Sequence, residues 1–263
     1  MKIYASLDPH RPLSEVAEHA RRVESLGYDG LHVAETVHDA LVVAALAAFA
    51  TGEHPDIVGE YYRLTRLQPY FHPGPAPDVV VPAVWLGGVN ERICELAGAR
   101  AAGLVTHPTN SSPRYLTALC LPSLAAGARS VGRDPAEVGL VVSTPVITGA
   151  TAEELERQRA HQRRLIAFMY STPAYRRTLK LYGWGQLTER LQEMVRTDRF
   201  EDLERVVTDE MLDALVPEAP YDSLAPLVLA RFGSLASGIV LAPPEPGSDE
   251  VAFARLVADL HAG

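Results

Sequence analysis

Glu35 and His38 place a carboxylate and an imidazole three residues apart in the stretch Tyr28 to Ala40, YDGLHVAETVHDA. The run Leu31-His32-Val33-Ala34, entered through Asp29-Gly30, predicts a short buried strand, and an apolar helix begins at Ala40. In parallel α/β architectures chemistry gathers where strands end, because loops there vary without disturbing the core. A Glu/His pair at such an exit suits general acid/base work. The competing reading is structural: Glu35 caps or ion-pairs locally and His38 opens the next helix. Gly87-Gly88-Val89-Asn90 is a second candidate, because glycines between a predicted strand and helix expose N–H groups at a positive helix end that suits phosphate. A plain tight turn needing positive φ is the other reading. Asp8 and His10, at the exit of the first predicted strand, face the mouth or cap their loop. Tyr170, Tyr175, Tyr182 and Trp184 either roof a substrate pocket or simply pack. His32, inside a strand, reads as a hydrogen-bonded core residue. His19, His54, His72, His161 and His261 lack ligand spacing, so no metal is expected.

The elements that must position these groups alternate. Strands are predicted over Lys2–Leu7, Leu31–Ala34, Ala83–Leu86, Leu104–Thr106, Leu140–Val146 and Ile239–Leu241. Helices are predicted over Ser14–Leu26, ended by Gly27, and over Ala40–Ala50 and Glu91–Ala99. A further helix is capped by Ser112, carries Pro113 at its first position, and runs to Arg129. Capping boxes stand at Asp134–Glu137 and at Thr151–Glu154, the second opening a helix to Tyr170. Residues 51–82 form a Pro- and Gly-broken, aromatic excursion, and residues 173–215 a helical insertion without strands. Helices at Tyr221–Phe232 and Ser248–His261 complete one α/β domain over residues 1–263, with six parallel strands in a barrel-like or open sheet.

A net charge of −9 argues against a nucleic-acid partner, which needs Lys/Arg clusters. Arg157, Arg159, Arg163 and Arg164 do cluster, but interleaved with Glu153, Glu154 and Glu156 they read as a solvated helix face. With 47% hydrophobic and 22% charged residues the chain should bury a sizeable core. Cys94 and Cys120 sit in apolar helical patterns and read as core thiols. No apolar h-region opens the chain, and the run Ala40–Ala50 is too short to span a bilayer, so no membrane association and a cytoplasmic location are expected.

Six segments together resemble the luciferase-like monooxygenases, in the branch of deazaflavin (F420)-dependent oxidoreductases. They are Ala34–Asp39 (AETVHD), Gly59–Tyr62 (GEYY), Leu86–Asn90 (LGGVN), Thr106–Pro108 (THP), Gly132–Glu137 (GRDPAE) and Thr208–Leu212 (TDEML), in family order. The resemblance implies a TIM-barrel-like fold with F420 or FMN across the C-terminal mouth. It implies a catalytic histidine at His38 beside the ring. It also places Gly87, Gly88, Val89 and Asn90 at the cofactor phosphate, with Thr106 and His107 close to the same arm. The sequence departs from the family where Ala50 leads almost at once into the GEYY excursion. At roughly 30 residues per βα unit a full barrel leaves this chain two units short, so the third and fourth strands are expected to be missing. Those strands carry, in the family, part of the wall behind the ring. Their loss leaves a gap, to be covered by Ile57–Phe71 or by a second subunit.

Three functions follow. The first is an F420- or flavin-dependent oxidoreductase acting on a small organic substrate, with a partly lost cofactor site and with Asp8, Tyr170 and Tyr175 toward the substrate. The second is a cofactor-free isomerase, dehydratase or cyclase in which Glu35 and His38 transfer protons inside the vacated cleft. The third is a non-catalytic partner subunit. A homodimer is expected, as this superfamily often forms one.

Overall fold

The computed structural model describes residues 1–33, 37, 40–51, 83–245 and 247–263. The Glu35–His38 pair and the Ile57–Phe71 segment lie outside the described residues. Six strands form one wholly parallel sheet: β1 (Lys2–Ser6), β2 (Gly30–His32), β3 (Trp85–Gly88), β4 (Gly103–Thr106), β5 (Gly139–Ser143) and β6 (Gly238–Leu241). Their order is β2-β1-β6-β5-β4-β3. Read cyclically, that is the order of an eight-stranded barrel with its third and fourth strands left out. The sheet is a curled half-barrel, and among the described residues β2 and β3 are its edges.

The strands alternate because their two faces meet different neighbours. Ile3, Ala5, Leu104, Leu140, Val142 and Ile239 turn to the helices, each at most 3% exposed. The other face carries glycines beneath two aromatic rings. A Cβ on Gly103 or Gly139 would come within 2.3 Å of the Trp85 ring, and Gly30 and Gly238 meet Tyr4 at 3.3 and 3.2 Å. Trp85 is in register with Gly103 and Gly139, and Tyr4 with Gly30. Trp85 is nevertheless 36% exposed, because its strand is an edge.

Around the sheet run α1 (Val16–Ser25), α2 (Ala40–Thr51), α3 (Glu91–Arg100), α4 (Pro113–Tyr115), α5 (Leu121–Ser130), α6 (Ala152–Tyr170), α7 (Arg176–Leu181), α8 (Leu187–Arg196), α9 (Asp209–Leu215), α10 (Tyr221–Phe232) and α11 (Glu250–Ala262). Gly27, with φ of 86°, ends the first helix as expected. Ser112 and Thr151 accept hydrogen bonds from the N–H groups of Tyr115 and Glu154, as their caps predict. The helix opened by Ser112 is not regular throughout. A π-turn over Leu116–Cys120 joins α4 to α5, next to Pro122, which has no N–H to donate.

Between β5 and β6 the helices α6 to α9 surround their own apolar cluster, which includes Ile147, Ile166, Leu179, Leu191 and Leu212. A parallel bridge between Ile147 and Glu218 closes the base of this excursion. Two sequence expectations are corrected here. The glycine pair is not a turn after the strand: Gly87 and Gly88 are the last residues of β3, and neither has positive φ. The arginine face is not simply solvated. Arg159 ion-pairs with Asp209, Asp213 and Glu218, and Arg163 ion-pairs with Asp209 and donates to the Val207 carbonyl, so both clamp α6 to α9.

Candidate functional site

At the exit of β3 the two glycines do different work. A Cβ on Gly88 would stand 2.2 Å from Ile93 Cγ2, so only glycine lets α3 begin this close to its strand. A Cβ on Gly87 would meet nothing within 4 Å, and its backbone is open to approach. Asn90 then caps α3, its Oδ1 accepting from the Ile93 N–H at 3.1 Å. The remaining N–H groups of the first turn have no intrahelical acceptor. Glu91 adds a negative charge there, and Arg177 pairs with it.

At the exit of β4 a polar run, Thr106 to Ser112, is folded inward. Thr106, Thr109, Asn110, Ser111 and Ser112 are each at most 4% exposed, so each must find partners. Thr106 Oγ1 accepts from the Ser143 N–H at 3.0 Å and ties β4 to the end of β5. His107 Nδ1 lies 2.8 Å from Thr109 Oγ1, which donates to Asn110 Oδ1 at 2.8 Å. Asn110 donates in turn to Thr178 at 3.4 Å. The His107 ring stacks on Tyr175 with centroids 4.4 Å apart. Burial holds the His107 pKa below the ordinary histidine value, which favours the neutral ring. Tyr170 Oη donates to the Thr109 carbonyl at 2.7 Å, and burial holds that phenol protonated. The two exits are joined by Tyr115, whose Oη donates to the Val89 carbonyl at 2.9 Å.

The structure thus brings Gly87, Gly88, Val89, Asn90, Thr106, His107, Tyr170 and Tyr175 to neighbouring strand exits. Tyr170 is 2% exposed with its hydroxyl committed, and Tyr175 is the ring partner of His107. Asp8 stands apart, since β1 is separated from β4 by β6 and β5. Its carboxylate accepts from the His10 N–H at 2.9 Å, a loop turn. His32, on β2, has its pKa lowered by burial. Tyr182 and Trp184 stack on each other at 5.0 Å. Among the described residues no His, Cys, Asp and Glu group could hold a metal ion, and no helix is long and apolar enough to cross a membrane.

A cavity of about 310 Å³ opens at the exits of β1, β5 and β6 under α6. Its floor includes Ser6, Ser143 and Val240, and its roof is a stripe of α6 that includes Gln158, His161 and Gln162. Sequence reading missed these residues. The signal was present as helical spacing, since positions 154, 157, 158, 161, 162 and 165 share one face.

A sequence model of the luciferase-like monooxygenases matches residues 48–236. Uncharacterized proteins of Mycobacterium tuberculosis and Mycobacterium bovis are 36% identical over 167 residues, which is 64% of this chain and 48% of theirs. The chain therefore spans about half the length of the curated relatives it matches. The coenzyme F420-dependent tetrahydromethanopterin reductase of Methanopyrus kandleri superposes with a TM-score of 0.74 at 14% identity, covering 97% of this chain and 96% of that one. An F420-dependent secondary alcohol dehydrogenase, solved with an F420–acetone adduct, superposes with a TM-score of 0.61 at 14% identity, covering 98% of each chain. These two likenesses are of fold. The sequence match over most of the chain and the six-strand arc it folds into agree: this protein belongs to the luciferase-like monooxygenase family.

Proposed function

We propose that the chain is an oxidoreductase that holds F420 or FMN across the C-terminal mouth of its half-barrel and acts on a small organic substrate. The observation that carries this reading is the open backbone at Gly87 beside a rim fixed by the Tyr115–Val89 hydrogen bond. Gly87, Gly88, Val89 and Asn90 would border the phosphate, which the N–H groups at the start of α3 would meet, and Thr106 and His107 would border the same arm. When bound, such a group supplies the hydride-transferring ring. The chain's own residues position it and move protons: Asn90 fixes the first turn of α3, and Glu35 and His38, which follow β2 in the sequence, are assigned proton transfer. The F420-dependent proteins of similar fold support this choice of cofactor. A homodimer belongs to the same proposal, because among the described residues β2 and β3 each end the sheet in an edge that a second copy can cover.

The test is titration of the purified protein with F420 and with FMN, followed by absorbance and fluorescence. Saturable binding of either, weakened by Gly87→Ala, is expected. Binding of neither would sink the reading. It would favour instead a cofactor-free enzyme using Glu35 and His38, which the separation of β2 from β3 among the described residues also supports. Light scattering of the eluting protein decides the dimer, which a uniform monomer would refute.

A further inference from the structure

Cys94 and Cys120 are the only cysteines in the chain, and the fold brings them together although 26 positions separate them. Their Sγ atoms lie 4.0 Å apart, within reach of a thiol hydrogen bond, and both side chains are buried. The helices on either side cannot come closer. A Cβ on Gly98 would overlap the Leu124 carbonyl and one on Gly127 the Glu95 carbonyl, so α3 and α5 already touch backbone to backbone. Cys120 itself ends the π-turn between α4 and α5, and such irregular turns gather at functional sites. The two thiols are chemically unlike. The hydrogen bond with Cys120 lowers the Cys94 pKa against the effect of burial, and a place in the first turn of a helix favours a thiolate as well. The same contact, with burial, raises the pKa of Cys120.

We propose that Cys94 and Cys120 are a reversible redox pair, oxidised by a hydroperoxide to a disulfide that bridges α3 to the π-turn. The Cys94 thiolate attacks one peroxide oxygen, the O–O bond breaks, and a sulfenic acid forms as hydroxide leaves. Cys120 then attacks the Cys94 sulfur. The S–S bond forms, and the sulfenic hydroxyl leaves with the Cys120 proton as water. Two electrons pass from the sulfurs to the peroxide, and a dithiol reductant returns them. From 4.0 Å the sulfurs must close by about 2 Å to reach bonding distance. Side-chain rotation and the π-turn supply that movement, since the helix backbones are already in contact. The bridge acts on the rim of β3: the Cys94 N–H donates to the carbonyl of Asn90, and Tyr115, at the head of the π-turn, holds the Val89 carbonyl.

The pair does not depend on which cofactor the chain binds, so the experiment uses the full chain with none. Native protein is treated with hydrogen peroxide, quenched in denaturant, and read by thiol titration and by mass spectrometry of the intact chain and its peptides. Both thiols should disappear together, the chain should become lighter by two hydrogens, and the peptides carrying Cys94 and Cys120 should be joined within one chain. Dithiothreitol should restore both thiols. Dimedone, which traps sulfenic acids, should label Cys94 in Cys120→Ala and leave Cys120 unlabelled in Cys94→Ala. In the oxidised wild-type protein, amide hydrogen exchange over Leu116–Cys120 should slow at least about threefold, because the bridge restrains local opening of the π-turn. Survival of both thiols in the native protein, a gain of oxygen without a bridge, or disulfides between chains would overturn the proposal. So would dimedone labelling of Cys120 alone, or unchanged exchange in the bridged protein. Protein that forms the bridge but binds neither F420 nor FMN fails the oxidoreductase reading alone, and protein that binds a cofactor but keeps both thiols fails this inference alone.

Discussion

Gly87 and Gly88 are adjacent and chemically identical, yet alanine should have opposite consequences at the two positions. At Gly88 the new methyl would sit 2.2 Å from Ile93 Cγ2 and 2.8 Å from Ile93 Cβ, against an ordinary carbon–carbon contact of about 3.5–4 Å. Something must move by more than 1 Å, and the Cβ contact cannot be relieved by rotating a side chain. Overpacking of this kind costs about 1–3 kcal/mol. In a chain of this size each kcal/mol corresponds to roughly 2–4 °C in melting temperature. At Gly87 the methyl meets nothing within 4 Å, so stability should change by less than about 0.5 kcal/mol. Cofactor titration should reverse the order of interest: Gly87→Ala keeps its fold but fills the space through which the backbone is approached. Urea unfolding measures the first effect. Adding Ile93→Ala to Gly88→Ala supplies the control, because it removes the Cγ2 clash, and the pair should cost less than the sum of the two single changes. A neutral Gly88→Ala, or strict additivity in the double variant, would refute the packing argument.

Three further outcomes follow from the same geometry. Tyr115→Phe removes the bond to the Val89 carbonyl and should cost about 0.5–1.5 kcal/mol in urea unfolding, with weaker cofactor binding if the rim matters. His19 is 5% exposed, and burial, helped by Arg11 and Arg22, lowers its pKa to about 4. The unfolded chain therefore binds a proton that the folded one refuses, so stability is full above about pH 6.5 and is lost as pH falls toward 4; His19→Leu should flatten that part of the stability profile. Burial alone would raise the pKa of Asp29, but hydrogen bonds from Lys2, the Ile3 N–H and His261 outweigh it and bring it to about 2. Its contribution, about 1 kcal/mol after allowing for solvent screening of the exposed Lys2, is present above about pH 4 and lost as pH falls toward 2; Asp29→Asn should remove that acid-side dependence.

The six parallel strands were readable because they depend on counting. Six apolar runs separated by helical patterns, with one gap after Ala50, leave little freedom once parallel pairing is accepted. Caps were readable for a similar reason: Ser112, Thr151 and Gly27 each satisfy a local requirement that distant residues do not alter. What failed was whatever depends on a neighbour from elsewhere in the chain. Gly88 looks like a turn glycine in sequence, and only the position of Ile93 shows that it serves a close approach inside a strand. The arginines of α6 look solvated until Asp209 and Glu218 arrive from the far side of the insertion. The run from Thr106 to Ser112 has the composition of an exposed loop, yet Asn110 is 0% exposed, because Thr109 and Thr178 supply what water would have supplied.

Among the described residues, the sheet order also explains how a barrel short of two neighbouring units keeps one contiguous arc. Omitting the third and fourth strands cuts the ring at one place only, so β3, β4, β5, β6 and β1 remain contiguous and every pairing among them survives. The groups assigned to the phosphate arm leave from β3 and β4, and the cavity floor comes from β5, β6 and β1; both therefore lie within the uncut arc. Only β2, with Glu35 and His38 beyond its end, stands at the cut. Chemistry that needs the phosphate arm and the cavity together loses none of its framework from this deletion. Chemistry that needs a ring wall between β2 and β3 must obtain that wall from outside the six strands, and that dependence separates the oxidoreductase reading from the cofactor-free one.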